Sequence, residues 1–299
     1  MRDFRTIFFA AMLAVLALPV QGAESQACAD SSRACLISTA MTYVEGLKSA
    51  DGQTVRLAAT ARRTHNGGNK PEEGAAVIRA QIAKERLIAP RNMRLTVDEK
   101  TGDVFVFWIT GGPLPQTAHI AERIRVKSSL ITEIEVFYWL DERPADQVNA
   151  AWPDADLKAE IAPTAANIGS CTEARRDCLI SVANTYLESL LKADGAAVKC
   201  TPTVRRTLNG GKAYEGEAAL RKGVSSERLA YRKNYRLFVD EAKGEVMALW
   251  LTSANPPAAP STAHVIERVK VEKGLITEIE VFYPLEQGTR DGTSGWPDQ

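Results

Sequence analysis

The nine residues Leu-Ile-Thr-Glu-Ile-Glu-Val-Phe-Tyr occupy positions 130–138 and recur, unchanged, at positions 275–283. Around them, the stretch from Cys28 to Tyr138 aligns with the stretch from Cys171 to Tyr283, and the offset drifts by a few residues at two short loop differences. Chance does not produce this agreement. The chain is therefore a tandem repeat of one unit, and the two units are called copy one and copy two below.

The composition of the N-terminal residues and of the segment between the two copies indicates how the 299-residue chain is divided into segments. Arg2 and Arg5 precede an apolar run at 7–18 and the small residues near Ala23, the layout of a cleaved secretory signal. The run is shorter than the roughly 20 residues that a membrane span needs, so no membrane attachment is expected after cleavage. We predict a periplasmic or secreted protein with these segments: signal peptide 1–23, first domain 24–141, linker 142–169, second domain 170–286 and C-terminal tail 287–299.

The composition indicates a soluble globular protein and excludes some partners. Hydrophobic residues make up 45% of the chain and charged residues 25%, which is the usual balance of folded domains. The 37 basic residues equal the 37 acidic residues, so no overall positive field attracts a polyanion. Nucleic acid is therefore not an expected partner.

Periodicity predicts the same order of elements in both copies. A helix with an apolar stripe opens each copy and ends at an Asp-Gly pair. A strand then runs into an Asn-Gly-Gly turn, and a second helix and two hairpins follow. Helices first and strands last predict the α+β class with an antiparallel sheet. The predicted bounds are 32–49 and 173–192 for the opening helices, 74–87 for the second helix of copy one, and 91–98, 103–110, 118–126 and 130–138 for its last four strands.

This element order, with Asp-Gly after the first helix, resembles the nuclear transport factor 2-like superfamily, which includes SnoaL-like cyclases and ketosteroid isomerase. More narrowly, the cysteine before the first helix, the Thr-X-Asn-Gly motif and the closing Ile-Thr-Glu-Ile-Glu are similar to a secreted family of unknown function within it. In that family the variable residue of Thr-X-Asn-Gly is often Glu, whereas this chain has His65 in copy one and Leu208 in copy two.

The resemblance implies both a shape and partners. Each copy is expected to form a cone in which a curved antiparallel sheet wraps the helices and leaves an apolar cavity open at one end. A small-molecule ligand or substrate would occupy such a cavity. Members often dimerise through the open face of the sheet, so the two copies are expected to form an intramolecular pseudo-dimer.

Strand alternation places one carboxylate of each copy among apolar residues. Glu122 shares a strand face with Ile120, Ile124 and Val126, and Glu267 has the corresponding place in copy two. Burial disfavours the charged form and raises a carboxyl pKa, which suits a general acid or base. The alternative is that each Glu pairs with an inward arginine or with backbone donors.

The strand before the Asn-Gly-Gly turn supplies further inward residues. Val204 and Leu208 mark its inner face, which places Arg206 inward and, in copy one, Arg63 and His65. We predict His65, Glu122 and Arg63 as catalytic residues, with His65 or Glu122 moving a proton and Arg63 stabilising negative charge. The alternative is that His65 is simply exposed at a strand end.

The remaining candidate residues are predicted to bind the substrate. Four are aromatic side chains on the inner stripe of the first helix or at matching strand positions, for which core packing is the alternative. The others are the copy-two arginine and glutamate. The predicted binding residues are Tyr43, Trp108, Tyr186, Arg206, Trp250 and Glu267.

The opposite face of the last hairpin is predicted to be polar and outward. If Val126 pairs with Leu130, Arg123 lies opposite Glu133, and Glu135 follows on the same exposed face. Exposed pairs of this kind contribute about 0–1 kcal/mol each. The same parity places His119 and His264 on the outer face, in structural roles.

The spacing of the cysteines predicts disulfides, and the small number of histidines argues against a metal site. Cys-x6-Cys occurs in both copies, which predicts disulfides between Cys28 and Cys35 and between Cys171 and Cys178. Cys200 is left as a buried thiol. With three histidines, no tight ligand cluster and no phosphate-binding loop in the sequence, neither a metal nor a cofactor is expected.

Two functions remain open at this stage. The first is an exported, cofactor-independent lyase, isomerase or hydrolase that acts by acid/base chemistry on a small, largely apolar molecule, with copy one as the active half. The alternative is a non-catalytic module whose two domains bind a ligand or a protein partner.

Overall fold

The computed structural model describes most of the two copies. Its residues are 31–68, 70–85, 87–111, 117–141, 156–163, 166, 171, 175–209, 211–227, 229–253, 261–283 and 285–287. The predicted signal peptide, Cys28 with its predicted disulfide, much of the predicted linker and nearly all of the predicted tail lie outside these residues.

Copy one forms a six-stranded sheet with two helices on one side. The strand order is β2-β1-β6-β5-β4-β3. The pairing of β1 with β6 is parallel and the other pairings are antiparallel, so the sheet is mixed where an antiparallel one was predicted. The elements are α1 (Arg33–Ser49), β1 (Leu57–His65), β2 (Glu72–Glu73), α2 (Ala75–Ile82), β3 (Ile88–Asp98), β4 (Asp103–Gly111), β5 (Thr117–Lys127) and β6 (Leu130–Asp141).

Copy two repeats this arrangement after a short helix, α3 (Leu157–Ile161), which lies within the predicted linker. Its strand order is β8-β7-β12-β11-β10-β9, and β13 adds to β11. The predicted α+β class and the tandem organisation are confirmed. The elements are α4 (Arg175–Lys192), β7 (Cys200–Leu208), β8 (Gly211–Glu215), α5 (Glu217–Ser226), β9 (Lys233–Asp240), β10 (Glu245–Thr252), β11 (Ser261–Glu272), β12 (Leu275–Phe282) and β13 (Leu285–Gln287).

Local chemistry sets the helix ends. The Ser32 side chain accepts from the backbone N–H of Cys35 and caps α1, and Ala50 closes it in the left-handed conformation at φ 53°. The second helix is shorter than predicted and ends at Ile82. The N–H groups of Lys84 and Glu85 both donate to the Gln81 carbonyl, at 2.8 and 3.1 Å, which tightens the chain into a turn. This turn delivers Glu85 to the inner face of the sheet.

Each copy has its own apolar core between its helices and the inner face of its sheet. In copy one, Ile37, Ala40 and Val44 of α1 are fully buried against that face. The equivalent stripe of α4 is buried in copy two. The inner faces of the two sheets are therefore covered by helices, and their outer faces are not.

The outer faces pack against each other. A separate apolar cluster lies between the sheets and contains Phe105, Phe137, Phe238 and Phe282. Phe105 and Phe238 approach with ring centroids 5.0 Å apart. The prediction that this face is exposed is therefore wrong, because each copy covers the outer face of the other.

The charged residues of this face are buried with it. Arg123 and Glu135 are 1% and 0% exposed, respectively, where an exposed Arg–Glu ladder was predicted. His119 and His264 lie on the face opposite Glu122 and Glu267, as strand parity predicts, but they too are buried between the sheets. Burial makes these charges costly unless they are paired.

Reciprocal ion pairs across this interface meet that requirement. Arg236 of copy two donates to both oxygens of Glu135, at 2.6 and 2.7 Å. The equivalent Arg94 of copy one pairs with Glu280. The copies are thus related by an approximate two-fold axis, and each supplies the arginine that neutralises the buried glutamate of the other.

A second reciprocal pair joins the ends of the facing strands. Arg176 of copy two binds Asp98 at 2.6 Å, and Arg33 of copy one binds Asp240 at 2.8 Å. Each aspartate also accepts a backbone N–H from the opposite strand, Asp98 from Val239 and Asp240 from Val97, both at 2.9 Å. These charge-assisted bonds fix the register between β3 and β9.

The predicted register of the last hairpin is wrong by one loop residue and one bulge. Ser128 and Ser129 both have positive φ, so they form a tight two-residue turn and Lys127 pairs with Leu130. A bulge then opposes Arg125 to Glu133 and Arg123 to Glu135. The predicted partner of Arg123, Glu133, is instead a diagonal neighbour whose carboxylate lies 3.1 Å from it.

The Asn-Gly-Gly turn of copy one contacts copy two. Gly67 has φ +67°, and a Cβ at this position would lie 2.0 Å from Cε1 of His264. Glycine is therefore required both by the backbone conformation and by the approach of the histidine. Within the described residues, no helix has the length and apolar character of a bilayer span.

Candidate functional site

A cavity of about 430 Å³ opens into copy two between its sheet and the segment that carries α5. Most of its wall is aliphatic or aromatic, and three of the residues that line it are charged. The lining includes Leu190, Leu208, Ala213, Tyr214, Leu229, Trp250, Ala263, Val265, Val281 and Tyr283, together with Arg206, Glu227, Glu267, Thr252 and Ser253.

Strand alternation places Glu267 inside this cavity. On β11, Val265, Glu267 and Val269 point to the inner face, while His264 and Arg268 point to the interface with copy one. Trp250 of β10 lies opposite Val265 in the antiparallel register. Its side chain is therefore the diagonal neighbour of Glu267 on the inner face.

The carboxyl of Glu267 is completely buried and partly hydrogen-bonded. The Tyr186 hydroxyl donates to Oε1 at 3.1 Å, and an Arg206 Nη2 lies 4.0 Å from the same oxygen. Burial raises the pKa of Glu267 to about 7, even though Arg206, Tyr186 and the nearby Trp250 indole N–H all act to lower it. At neutral pH the carboxyl can therefore either accept or release a proton.

Two polar atoms of this group complete no hydrogen bond of normal geometry within the described part of the chain. They are Oε2 of Glu267 and Nε1 of Trp250, both of which are buried. Buried polar atoms in proteins are usually satisfied, and a water or a ligand in the cavity can satisfy an acceptor and a donor that lie side by side.

Arg206 is held in the cavity wall by two contacts. It pairs with Glu227 at 2.9 Å, and its guanidinium carbon lies 5.7 Å from the centre of the Tyr214 ring. Glu227 and Tyr214 were not singled out from the sequence. The Glu-Arg-Leu sequence at 85–87, repeated at 227–229, was the available signal, because an inward arginine in both copies requires a carboxylate in both.

Copy one has the same floor. Glu122 is 2% exposed, and burial raises its pKa to about 8 against the opposing effects of Arg63 and Tyr43. Oε2 of Glu122 and Nε1 of Trp108 repeat the unsatisfied pair of copy two within the described residues. Tyrosine, glutamate, arginine and tryptophan therefore occupy equivalent positions in both copies.

The mouth of copy one differs because it is polar. Nε of Arg63 donates to Nε2 of His65 at 3.0 Å, and Arg63 also pairs with Glu85 and, at 3.4 Å, with Glu72. His65 lies 3.4 Å from Glu72, and about a third of its side chain is exposed. Arg63 connects the predicted catalytic residues, since it bonds His65 and also acts on the charge of Glu122.

This cluster is the group of potential metal ligands that the structure assembles, although none was expected from the sequence. Ligand atoms of His65, Glu72 and Glu85 lie within 4.8 Å of one another. However, the Arg63 guanidinium bonds or pairs with all three, and its donor occupies the Nε2 lone pair of His65 that a metal would need. The arginine therefore already neutralises one of the two carboxylate charges and competes with a metal for both groups.

In copy two, apolar residues replace this polar mouth. Leu208 stands where copy one has His65, and Tyr214 faces Arg206 across β7 and β8 where Glu72 faces Arg63 across β1 and β2. Both replacements line the 430 Å³ cavity. The two copies thus share a floor and differ in how that floor is reached.

The predicted binding residues are all close to these two floors. Tyr43, Tyr186, Trp108 and Trp250 are each at most 4% exposed. Of these, Trp250 lines the cavity and Tyr186 reaches it through Glu267. For Tyr43 and Trp108 the contacts described are with core residues and Glu122, which keeps the alternative of core packing open.

The cysteines of copy two take the expected states. Cys171 and Cys178 form a disulfide with Cα atoms 5.2 Å apart, and α4 begins after the first of them. Cys200 is free and buried, and burial raises the pKa of its thiol. A raised pKa disfavours the thiolate, so Cys200 has no feature of a nucleophile.

Comparison with known families gives one match, found twice. The model of a family described as a domain of unknown function (DUF8021) matches residues 29–138 and again residues 172–283. These two ranges correspond to the two copies read from the sequence. No curated protein matches the chain.

Solved structures of single-copy proteins align with part of the chain. A protein of unknown function with a cystatin-like fold from Methylobium petroleophilum PM1 is 22% identical, with a TM-score of 0.32, and the alignment covers 43% of this chain and 89% of that one. An NTF2-like protein of unknown function from Cytophaga hutchinsonii ATCC 33406 is 13% identical, with a TM-score of 0.30, over 35% and 89% of the two chains. One from Burkholderia xenovorans LB400 is 13% identical, with a TM-score of 0.32, over 38% and 91%.

Proposed function

The chain belongs to the DUF8021 family, whose domain it contains twice, and from its geometry we propose that copy two is a cofactor-independent acid/base enzyme. Its substrate is a small, largely apolar molecule, and the reaction is of the lyase, isomerase or hydrolase type. This assigns the chemistry to the copy opposite to the one favoured by the sequence, in which His65 pointed to copy one.

One observation carries the proposal: Glu267 is a buried carboxyl at the floor of an apolar cavity large enough for a small molecule. Its pKa of about 7 means that both protonation states are populated near neutrality. Tyr186 binds Oε1, and Oε2 of Glu267 completes no hydrogen bond of normal geometry in the described part of the chain, so Oε2 is able to take a proton from a bound molecule.

The neighbouring residues support this role. The ionised Glu267 takes a proton from the substrate on Oε2 and later returns it to another atom, either a carbon in an isomerase or a leaving group in a lyase. Tyr186 holds the other oxygen in place through its 3.1 Å hydrogen bond. Arg206, fixed by Glu227, supplies the positive charge that stabilises developing negative charge on the substrate.

Export completes the proposal. The basic and apolar residues at 1–23 have the composition of a secretory signal, and the Cys171–Cys178 disulfide is typical of proteins that fold in an oxidising compartment. We propose that the enzyme acts in the periplasm or outside the cell.

A second candidate function is non-catalytic ligand binding. It is favoured by the repetition of the same floor in copy one, where the mouth is lined by the Arg63 cluster. Floor residues that are the same in both copies, although the mouths differ, can have a structural role in each copy. In this alternative, copy two would bind the small molecule without converting it.

The experiment compares two matched variants, Glu267→Gln and Glu122→Gln, with the unchanged protein. A panel of small, largely apolar alcohols, ketones, esters and epoxides is incubated with each protein in D₂O, and deuterium incorporation and product formation are followed by mass spectrometry. The expected result is turnover of at least one compound that falls by about 100-fold or more in Glu267→Gln, the usual size of a general-base contribution. Glu122→Gln should retain most of the activity.

The same experiment separates the alternatives. Full activity in Glu267→Gln would contradict the proposed function. Binding of panel compounds without any turnover would favour the non-catalytic module. Loss of activity in Glu122→Gln alone would return the chemistry to copy one, where His65 remains a predicted catalytic residue.

A further inference from the structure

Copy two contains an unsatisfied donor and an unsatisfied acceptor side by side, and together they specify the polar end of a ligand. Nε1 of Trp250 can only donate, and Oε2 of Glu267 accepts when the carboxyl is ionised. Both residues line the same cavity and are diagonal neighbours on the sheet. The indole N–H lies close enough to the carboxyl to lower its pKa, so a single ligand atom beside both groups can reach both.

The requirements of the two atoms exclude most charged groups. An ammonium ion has no lone pair to accept from the Trp250 N–H, and Arg206 nearby repels it. A carboxylate accepts from Trp250, but whenever Glu267 is ionised it has no proton for Oε2 and faces the negative charge of Glu267. A neutral hydroxyl oxygen has both a lone pair and a proton, so it satisfies both atoms at once.

The rest of the cavity fits an apolar body behind such a group. Leu208, Leu229, Val265 and Val281 form walls that offer no hydrogen bond from their side chains. The charged side chain of Arg206 is already occupied by Glu227 and by the Tyr214 ring. A ligand therefore gains most by placing its one polar group at the floor.

We infer that copy two recognises a small neutral molecule through a hydroxyl group held between Trp250 Nε1 and Glu267 Oε2, with its apolar body against the aliphatic wall. The inference rests on the proposed function, because it names the ligand class of the same cavity. It goes further in assigning Trp250 the role of a specificity-determining residue. In the absence of ligand, a water molecule satisfies the two atoms.

A pair of isosteric probes tests this directly. 2-Naphthol and 2-methylnaphthalene differ by a hydroxyl in place of a methyl group, and 2-naphthoate adds the anion. Binding of each is measured by equilibrium dialysis at about pH 7 with the mature protein. We expect 2-naphthol to bind at least about tenfold more tightly than either of the others, because a missing hydroxyl leaves both buried atoms unsatisfied.

Matched variants locate the effect. Trp250→Phe should reduce the preference for 2-naphthol over 2-methylnaphthalene to below about threefold, by weakening 2-naphthol binding alone. Trp108→Phe, the same change in copy one, should leave the preference intact. Ala213→Trp, at the half-buried edge of the cavity, should weaken all three probes by about tenfold or more.

The outcomes distinguish this inference from the function on which it rests. Equal binding of both neutral probes, blocked by Ala213→Trp, would overturn the hydroxyl assignment and leave the cavity as the binding site. A preference lost in Trp108→Phe and not in Trp250→Phe would overturn the assignment to copy two, as would the absence of binding by any probe. Turnover by Glu267 is measured separately and does not depend on these probes.

Discussion

The two copies have the same floor and different mouths. Tyr43, Glu122, Arg63 and Trp108 of copy one have equivalents at every position in copy two. Above this floor, copy one carries a histidine and a glutamate bonded to its arginine, whereas copy two carries Leu208 and Tyr214, which are apolar or aromatic. The residues of the floor are the same in both copies, and the residues of the mouth, which line the entrance to the floor, differ.

The outer faces of the sheets show the opposite behaviour. There the copies remain alike because each completes the other, as in the pairing of Arg236 with Glu135 and of Arg94 with Glu280. A change on one side of such an interface leaves a buried charge on the other side, so the two copies are constrained together. The mouths carry no such mutual constraint and are free to differ.

The largest expected effect comes from breaking this shared interface. Glu135→Ala leaves the buried Arg123 and Arg236 short of a carboxylate and should lower the free energy of unfolding by about 3–5 kcal/mol. Glu280→Ala should cost a similar amount, because it occupies the equivalent place. Urea unfolding followed by circular dichroism measures both.

A surface variant provides the control for these two. Glu272 is half exposed and pairs with Lys270 at 3.1 Å, so Glu272→Ala should change stability by less than about 0.5 kcal/mol. If Glu135→Ala costs no more than this control, the ion pairs between the copies are not what holds them together.

The second prediction concerns the two buried glutamates and pH. The pKa values of Glu122 and Glu267 are raised to about 8 and about 7 from 4.5, so the folded protein binds these protons more tightly than the unfolded chain. The stability that each protonated carboxyl contributes to the protein is therefore lost as pH rises from about 4.5 to the folded pKa of that carboxyl. In Glu267→Gln this loss should be absent. Between pH 5 and pH 8, the free energy of unfolding of the variant should therefore rise by about 3 kcal/mol relative to that of the unchanged protein.

The corresponding change in copy one sharpens the comparison. Glu122→Gln should flatten the pH dependence over a wider range, up to about pH 8, because its pKa is raised further. Urea midpoints at several pH values measure both slopes. Unchanged slopes in both variants would mean that these carboxyls are not held in their neutral form by burial.

Exchange of the mouths is the third prediction. The double variant Leu208→His with Tyr214→Glu gives copy two the polar mouth of copy one and should weaken 2-naphthol binding by about tenfold or more, because polar side chains that contact Arg206 would replace apolar wall at the entrance. The reciprocal variant, His65→Leu with Glu72→Tyr, should create a second binding site. Calorimetric stoichiometry would then rise from one to two, and an unchanged value would show that the mouth does not control access.

The smallest effect is expected from His65 alone. His65→Ala removes one bond to Arg63, which keeps its pairs with Glu85 and Glu72. Binding in copy two and its turnover should therefore change by less than about twofold in a standard assay. Loss of turnover in this variant would instead support the sequence-based prediction that copy one is the active half.

The sequence was sufficient for the repeat and for the direction in which residues of single strands point. Alternation alone placed Glu122 and Glu267 inside, and the repeat identified the elements and the Cys171–Cys178 disulfide. It could not reveal that the polar face of the last hairpin is buried, because Arg123 and Glu135 have the composition of an exposed ladder and only the second copy removes them from water.

The mouths were also beyond a reading of single strands. Glu85 reaches Arg63 through the turn that ends α2 early, and the sequence predicted helix at that position. Likewise, the difference between His65 and Leu208 was visible in the sequence, but its consequence depends on Glu72 and Tyr214 across a two-strand ladder. Comparison of the copies pointed to the position where they differ, and the proposed site in copy two rests on the geometry around it.

The most direct test of the central claim is a crystal structure of the protein grown with 2-naphthol. The account predicts electron density for the ligand in copy two, with its oxygen within hydrogen-bonding distance of Trp250 Nε1 and Glu267 Oε2, and none on the Arg63 cluster of copy one. Density in copy one beside His65, or a copy-two cavity that holds only water at saturating ligand, would contradict it.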